Sequence, residues 1–272
     1  MATPGTPSPK KYQSKLSLHR ERTGIDSPKK KLLTEFVKIA DLTVGLQNAK
    51  IKGRVISRTQ QIHTAHGVMF SAVIMDSTSC IRIVGWGTTL CDLYYNKLKV
   101  GKVVTLDSVG IKIAAQRSYS WVDHLSQITL NKLSLVDESE DSADMPRHNL
   151  TFTKLEKCVD SGKVVDVIGV VYEIGEVITI KTAKQSCKRE ITILDQWNKM
   201  ATITMWNETA EKFIIDISSL DNAIVAFGGV KVSAFARDSG EIFLDSFDDS
   251  VIMINPDIPD ERELREWLKD NQ

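Results

Sequence analysis

The sequence has no long hydrophobic run, few cysteines and no excess of charge of either sign. Its 272 residues include 35 basic and 35 acidic side chains. No stretch approaches the ~20 apolar residues that a membrane-spanning helix needs. The N-terminal segment also lacks the apolar core of a secretory signal peptide. We therefore expect an intracellular protein without a membrane segment.

Recognisable metal and catalytic motifs are missing as well. The four cysteines are Cys80, Cys91, Cys158 and Cys187, and none forms a C-x-x-C pair. The five histidines include no H-x₃-H run, so the spacings predict no zinc site. There is no P-loop, G-x-G-x-x-G, H-E-x-x-H or Ser/His/Asp order. We expect a protein that is not an enzyme and needs no metal or cofactor.

The balanced total charge conceals an uneven distribution along the chain. Residues 1–31 carry a net charge of +6, which leaves −6 for the remainder. This tail is rich in Pro, Ser, Thr and Lys, contains "SPKK" twice and is predicted to be disordered. It is either a phosphorylated nuclear-targeting segment or a solvated tail without a specific role. Binding of a polyanion by the body then requires a local stripe of positive charge.

The body has the pattern of β-strands, and its two halves repeat. Each half predicts three strands, a short helix and two further strands, the order of an OB-fold, a five-stranded Greek-key barrel. We predict a mainly all-β protein of two tandem OB-fold barrels and a C-terminal helix. The predicted division is a tail at 1–31, a first barrel at 32–136, an acidic flexible linker at 137–149, a second barrel at 150–254, and the C-terminal helix at 255–272.

Four pairs of residues mark the repeat at an offset of about 116–120 positions. They are Gly53 and Gly169, Asp76 and Asp195, Trp86 and Trp206, and Lys112 and Lys231. The two Asp residues are predicted to form turns.

Strand periodicity predicts which way the two tryptophans point. Side chains alternate across a strand, so Trp86 is opposite to Ile81 and Ile83 in "CIRIVGW". By the same argument, Trp206 is opposite to Ile203 and Met205 in "ATITMW". If the aliphatic side chains fill the barrels, both indoles lie on the outer face.

Outward aromatic rings beside outward cations are typical of proteins that bind single-stranded nucleic acid. Bases stack on the rings while cations contact phosphates, with little dependence on sequence. The first hypothesis is therefore binding of single-stranded DNA. Two alternatives are an OB-fold scaffold for protein interactions and an RNA-binding OB protein.

The sequence resembles the large subunit of replication protein A, the eukaryotic single-stranded DNA-binding protein. The segments that carry the resemblance are "NPDIPDERELREW", "DVIGVVYE", "TITMWNETAEKF", "FSAVIMDSTSCIRIVGW" and "GIKIA". They cover that subunit's two central, tandem OB domains. The resemblance implies a nuclear protein of DNA replication, repair or recombination, with single-stranded DNA and other replication or repair proteins as partners.

The resemblance also implies the residues that contact DNA. Those implied to stack on bases are Trp86, Tyr119, Trp206 and Phe235, with Trp121 as the alternative to Tyr119. Those implied to contact phosphate or polar groups are Arg82, Lys112, Lys181, Lys188, Arg189 and Lys231.

The chain departs from the family in its extent and in its first barrel. Its length and cysteine spacings lead us to expect neither the N-terminal protein-binding OB domain nor the C-terminal zinc-bearing OB domain of the large subunit. We therefore expect a short paralogue-like form that does not join the usual heterotrimer through the zinc-bearing element. His63 and Ala65 stand where the family commonly has Arg and Trp, so we expect the first barrel to bind DNA more weakly.

Overall fold

Two β-barrels make up most of the regular structure of the protein. The computed structural model describes residues 36–114, 120–180, 186–213, 222–234 and 241–271. Both barrels lie within one compact unit of the chain. The predicted all-β class with tandem OB-fold barrels is confirmed.

The first barrel is formed by eight strand segments and one helix among the described residues. The strands are β1 (Ile51–Arg58), β2 (Ile62–Thr64), β3 (Gly67–Met75), β4 (Cys80–Trp86), β5 (Val103–Asp107), β6 (Gly110–Ile113), β7 (Ser126–Thr129) and β8 (Leu135–Ser139). Helix α1 (Thr88–Tyr94) lies between β4 and β5 and continues into a 3₁₀ turn. The sheet order is β6-β7-β4-β3-β1-β5-β8, with β2 beside β3. The chain breaks the strand pattern between β5 and β6 at Ser108, whose φ is 55°.

The second barrel repeats this arrangement with longer strands. Its strands are β9 (Val164–Ile174), β10 (Ile178–Ile180), β11 (Ser186–Leu194), β12 (Met200–Trp206), β13 (Ile224–Val232) and β14 (Ile242–Ile254). Helix α2 (Asn207–Lys212) follows β12. The pairings β9–β11, β11–β12, β12–β14, β14–β13 and β13–β9 close the barrel. The helix therefore lies between the third and fourth barrel strands, as in an OB-fold.

Each barrel surrounds its own apolar core. Phe70 in the first barrel and Phe227 in the second are fully buried. Ile83 and Ile203 lie at matching places in these cores, as the alternation along β4 and β12 predicts. Because branched aliphatic side chains dominate both cores, the inner face of each strand is clearly specified.

Asp76 and Asp195 organise equivalent turns. Both are buried. Asp76 directly follows β3, and Asp195 directly follows β11. Asp76 accepts the backbone N–H of Ile39 at 2.9 Å, and Asp195 accepts that of Leu155 at 3.3 Å. Burial opposes the charged form, but hydrogen bonds from Thr78 and from backbone amides hold the pKa of Asp76 below its ordinary value. The predicted turn-forming role is confirmed.

Helix α3 (Pro259–Asp270) closes the chain against the second barrel. Pro259 stands at its start, where a missing N–H costs nothing, and Asp260 and Glu261 complement the helix dipole. Leu264 is buried against Val170 and Ile224. The apolar side of this helix therefore seals the second barrel.

The acidic segment between the barrels is held by contacts rather than free. Strand β8 pairs with β5 as far as Ser139, three residues past the predicted end of the first barrel at 136. The guanidinium of Arg54 donates to the backbone oxygens of Met145 and Pro146 and to Asp141. The predicted division of the chain stays a proposal, but the acidic segment 137–149 is packed on the first barrel.

Candidate nucleic-acid interface

Trp86 ends strand β4 at the rim of the first barrel. It pairs with Met69 of β3, and 43% of its surface is exposed. Gly87 has a φ of 89°, a conformation suited to glycine, and turns the chain into α1. This turn directly after the strand leaves the indole outside the core, so the predicted outward orientation is confirmed.

Trp206 occupies the matching position in the second barrel. It ends β12, is half-buried, and is followed by Asn207, whose φ of 48° turns the chain into α2. Trp206 pairs directly with Lys188 of β11. Directly opposite residues of antiparallel strands share a face, with their Cβ atoms about 5 Å apart. The second barrel therefore places an indole beside an ammonium, and that ammonium also donates to Oε1 of Glu190 at 2.6 Å.

The neighbouring cation Arg189 lies on the other face of β11. It has the same parity as the core residues Ile191 and Ile193. Its Nε donates to the backbone oxygen of Gly175 at 2.8 Å. Lys188 and Arg189 are thus separated by the sheet, and only Lys188 shares the face of Trp206.

Lys231 and Lys112 are cations on the barrel strands that follow the tryptophans. Lys231 pairs with Asp245 of β14, and its Nζ lies 5.9 Å from the ring centroid of Phe247. Lys112 is exposed on β6. Phe247 was not predicted as part of the site, because β14 gave no aromatic repeat that would have indicated it.

Arg82 shares the outer face of β4 with Trp86, but the second barrel covers it. Its side chain is only 12% exposed, and its Nε lies 3.8 Å from Oδ2 of Asp249. Trp121 is engaged in the same region, since its Nε1 donates to the backbone oxygen of Asp249 at 2.6 Å. Neither side chain is open to a ligand in this arrangement.

Three predicted site residues lie outside the described residues. They are Tyr119, Lys181 and Phe235. Their roles stay predictions. Trp121, the alternative to Tyr119, has its indole engaged by the second barrel, and both residues stay predictions for the second stacking position of the first barrel.

The described residues contain no group of three or more His, Cys, Asp or Glu side chains that could hold a metal ion. Over the same residues, no helix is long and apolar enough to cross a membrane.

The fold and this pair of strand-end tryptophans define a tandem OB-fold protein. Residues 152–247 match the family described as the replication protein A OB domain. The chain is 30% identical over 244 residues to the 70 kDa DNA-binding subunit of replication protein A from Xenopus laevis, covering 86% of this chain and 38% of that protein. It is 29% identical over 226 residues to replication factor A protein 1 of Schizosaccharomyces pombe, covering 80% and 36%.

Among solved structures, the chain resembles a replication protein A heterotrimer bound to single-stranded DNA. The TM-score is 0.73 at 27% identity, over 87% of this chain and 55% of the other. The chain resembles the large subunit of replication protein A through its central pair of OB domains. It spans less than two-fifths of the length of the curated relatives named above.

Proposed function

We propose that this protein binds single-stranded DNA with little sequence preference, across both barrels. The observation that carries the proposal is the equivalent placement of Trp86 and Trp206 at strand ends, with Lys188 directly opposite Trp206. Bases stack on the indoles, and the lysines contact phosphates. Every base has a π-face, so this mode of binding tolerates any sequence.

Two barrels on one chain bind more tightly than either would alone. Each OB fold takes about 4–16 nucleotides. Once one barrel holds the strand, the other meets it at a high effective concentration. Because lysines neutralise phosphates, we expect the affinity to fall as the salt concentration rises.

The similar proteins bear names that fit a non-enzymatic role. The relatives include DNA-binding subunits, and the matched structure is of a heterotrimer bound to single-stranded DNA. We propose that this chain protects or organises single-stranded DNA in nuclear replication, repair or recombination. Other proteins of those processes are its proposed partners.

Replacing Trp206 by Ala is expected to lower the affinity for oligothymidylate by about 1–3 kcal/mol, because one stacked base is lost. This corresponds to roughly a 5- to 150-fold rise in Kd. The measurement is a titration followed by fluorescence anisotropy of a labelled oligonucleotide.

Trp197 provides a matched control for this substitution. It is an exposed tryptophan of the same barrel and lies just before the start of β12, whereas Trp206 ends that strand. The Nζ of Lys154 lies 3.9 Å from its ring centroid. Trp197→Ala is expected to leave Kd unchanged. Equal effects of the two substitutions, or no effect of either, would contradict the assignment of Trp206.

A further inference from the structure

The two barrels share a small apolar interface. Val73 and Met75 of the first barrel form one buried cluster with Val251 of the second. Trp121 lies over Gly229, where an added Cβ would come within 2.2 Å of the indole Cγ. The absence of a side chain at Gly229 is therefore what allows the indole to pack there.

A bulge in β14 directs an acidic side chain into this interface. The β13–β14 register jumps from Gly228 opposite Val251 to Val230 opposite Ser246, which leaves residues 247–250 unpaired by the ladder. The Oγ of Ser250 accepts the N–H of Phe247 at 2.8 Å and donates to the oxygen of Gly229 at 2.7 Å. Bulges reorient side chains locally. Here the bulge turns Asp249 towards the first barrel.

Asp249 meets Arg82 in a buried but incomplete ion pair. The two side chains are 1% and 12% exposed, and Nε lies 3.8 Å from Oδ2. Oδ2 accepts the hydroxyl of Ser120 at 2.6 Å, and Nη2 of Arg82 donates to Ser71 at 3.2 Å. Within the described residues, Nε of Arg82 and Oδ1 of Asp249 have no hydrogen-bond partner. Such a pair bears the cost of desolvation without the gain of a bidentate contact.

Arg82 also stands where a DNA phosphate would be expected. It precedes Trp86 by four positions on β4, so both side chains are on the same face, roughly 13 Å apart along the strand. A DNA strand that stacks one base on Trp86 and continues along the outer face of β4 would bring the phosphate of a further nucleotide towards this guanidinium. In the described arrangement, the carboxylate of Asp249 already holds that position.

We propose that Asp249 competes with a DNA phosphate for Arg82, so that the first barrel engages single-stranded DNA fully only after the second barrel has released it. This inference rests on the proposed function. The closed arrangement lowers the apparent affinity by the fraction of molecules that are closed. Separating Arg82 from Asp249 costs little free energy, because the ion pair lacks a bidentate contact. A phosphate then replaces the carboxylate as the counter-charge of Arg82.

Replacing Asp249 by Asn tests the competition. The amide keeps the shape but leaves buried Arg82 with only its weaker interaction with Asp248, so the closed arrangement is disfavoured. The Kd for an oligothymidylate of about 30 nucleotides, enough for two OB folds, is expected to fall about five-fold or more. Asp257→Asn is the matched control, since it removes the same charge from an exposed residue that pairs with Arg262. A Kd for Asp249→Asn equal to that of Asp257→Asn overturns the proposal.

A double-mutant cycle separates the competition from a general charge effect. Arg82→Gln removes both the internal pair and the phosphate contact in the unmodified protein, so its two effects partly cancel. In the background of Asp249→Asn only the phosphate contact remains to be lost. Arg82→Gln is therefore expected to weaken binding more in that background, and equal effects in the two backgrounds overturn the proposal.

Hydrogen exchange tests the same idea without any substitution. Binding of the oligothymidylate is expected to increase amide exchange in segments 120–122 and 247–253, which leave the interface. Unchanged or slower exchange there overturns the proposal. Failure of the proposed function looks different, because Trp206→Ala would then also leave Kd unaltered.

Discussion

Replacing Phe227 by Ala is expected to lower the free energy of unfolding of the second barrel by about 3–5 kcal/mol. Phe227 is fully buried in β13, and its ring lies 6.2 Å from that of Phe213 at an interplanar angle of 29°. The substitution removes the ring from the centre of a closed barrel. Paired strands surround the site and prevent the walls from collapsing into the space, so the cavity persists.

Urea unfolding followed by tryptophan fluorescence measures this loss as a shift of the midpoint. Phe243→Ala is the matched control, because Phe243 lies half-buried on β14 of the same barrel. It is expected to cost about 1 kcal/mol, since only part of its apolar area leaves water. Similar midpoints for the two variants would show that the barrel repacks around the lost ring at Phe227.

The barrels could be predicted from the sequence because their pattern is local and repeated. In β4 and β12 the core residues recur at every second position, so the faces of Trp86 and Trp206 follow directly. The same alternation places Ile113 on the inner face of β6 with Ile111, yet Ile113 is 75% exposed. Ile113 is the last residue of β6, and alternation says nothing about whether core remains at the end of a strand.

The contact between the barrels could not be predicted in the same way. Ser120 and Asp249 are 129 positions apart, and neither belongs to the repeat. Alternation along β4 places Arg82 on the outer face with Trp86, but it does not tell what covers that face. Lys188 and Arg189 show a related limit, because they are neighbours in the sequence. Adjacent positions of a strand point to opposite faces, so the two cations do not form one patch.

Arg54 is the other residue whose replacement is expected to have a large effect. It is a cation on β1, yet only 6% of its surface is exposed. Its Nε donates to Pro146 O at 2.9 Å, Nη1 donates to Gly101 O at 2.8 Å, and Nη2 donates to Met145 O at 3.2 Å. Nη2 also donates to Asp141 at 2.5 Å. One planar group therefore holds three backbone carbonyls together and fastens the acidic segment to the first barrel.

Arg54→Leu is expected to lower the free energy of unfolding of the first barrel by about 3 kcal/mol or more, because carbonyl groups lose their donor while still partly buried. The measurement is again the urea midpoint. Arg54→Lys should recover only part of the loss, because an ammonium lacks the planar fork that reaches several acceptors at once.

Asp141→Asn distinguishes the carbonyl contacts from the ion pair. Asp141 is exposed, and its hydrogen bond from Arg54 holds the pKa of the carboxyl below its ordinary value. The amide oxygen still accepts from Nη2, so the midpoint is expected to stay close to that of the unmodified protein. If Asp141→Asn instead destabilised the barrel as much as Arg54→Leu, the charge rather than the carbonyls would be what holds the segment. The linker would then loosen as salt screened the pair, whereas contacts to carbonyls keep it fastened at any salt concentration.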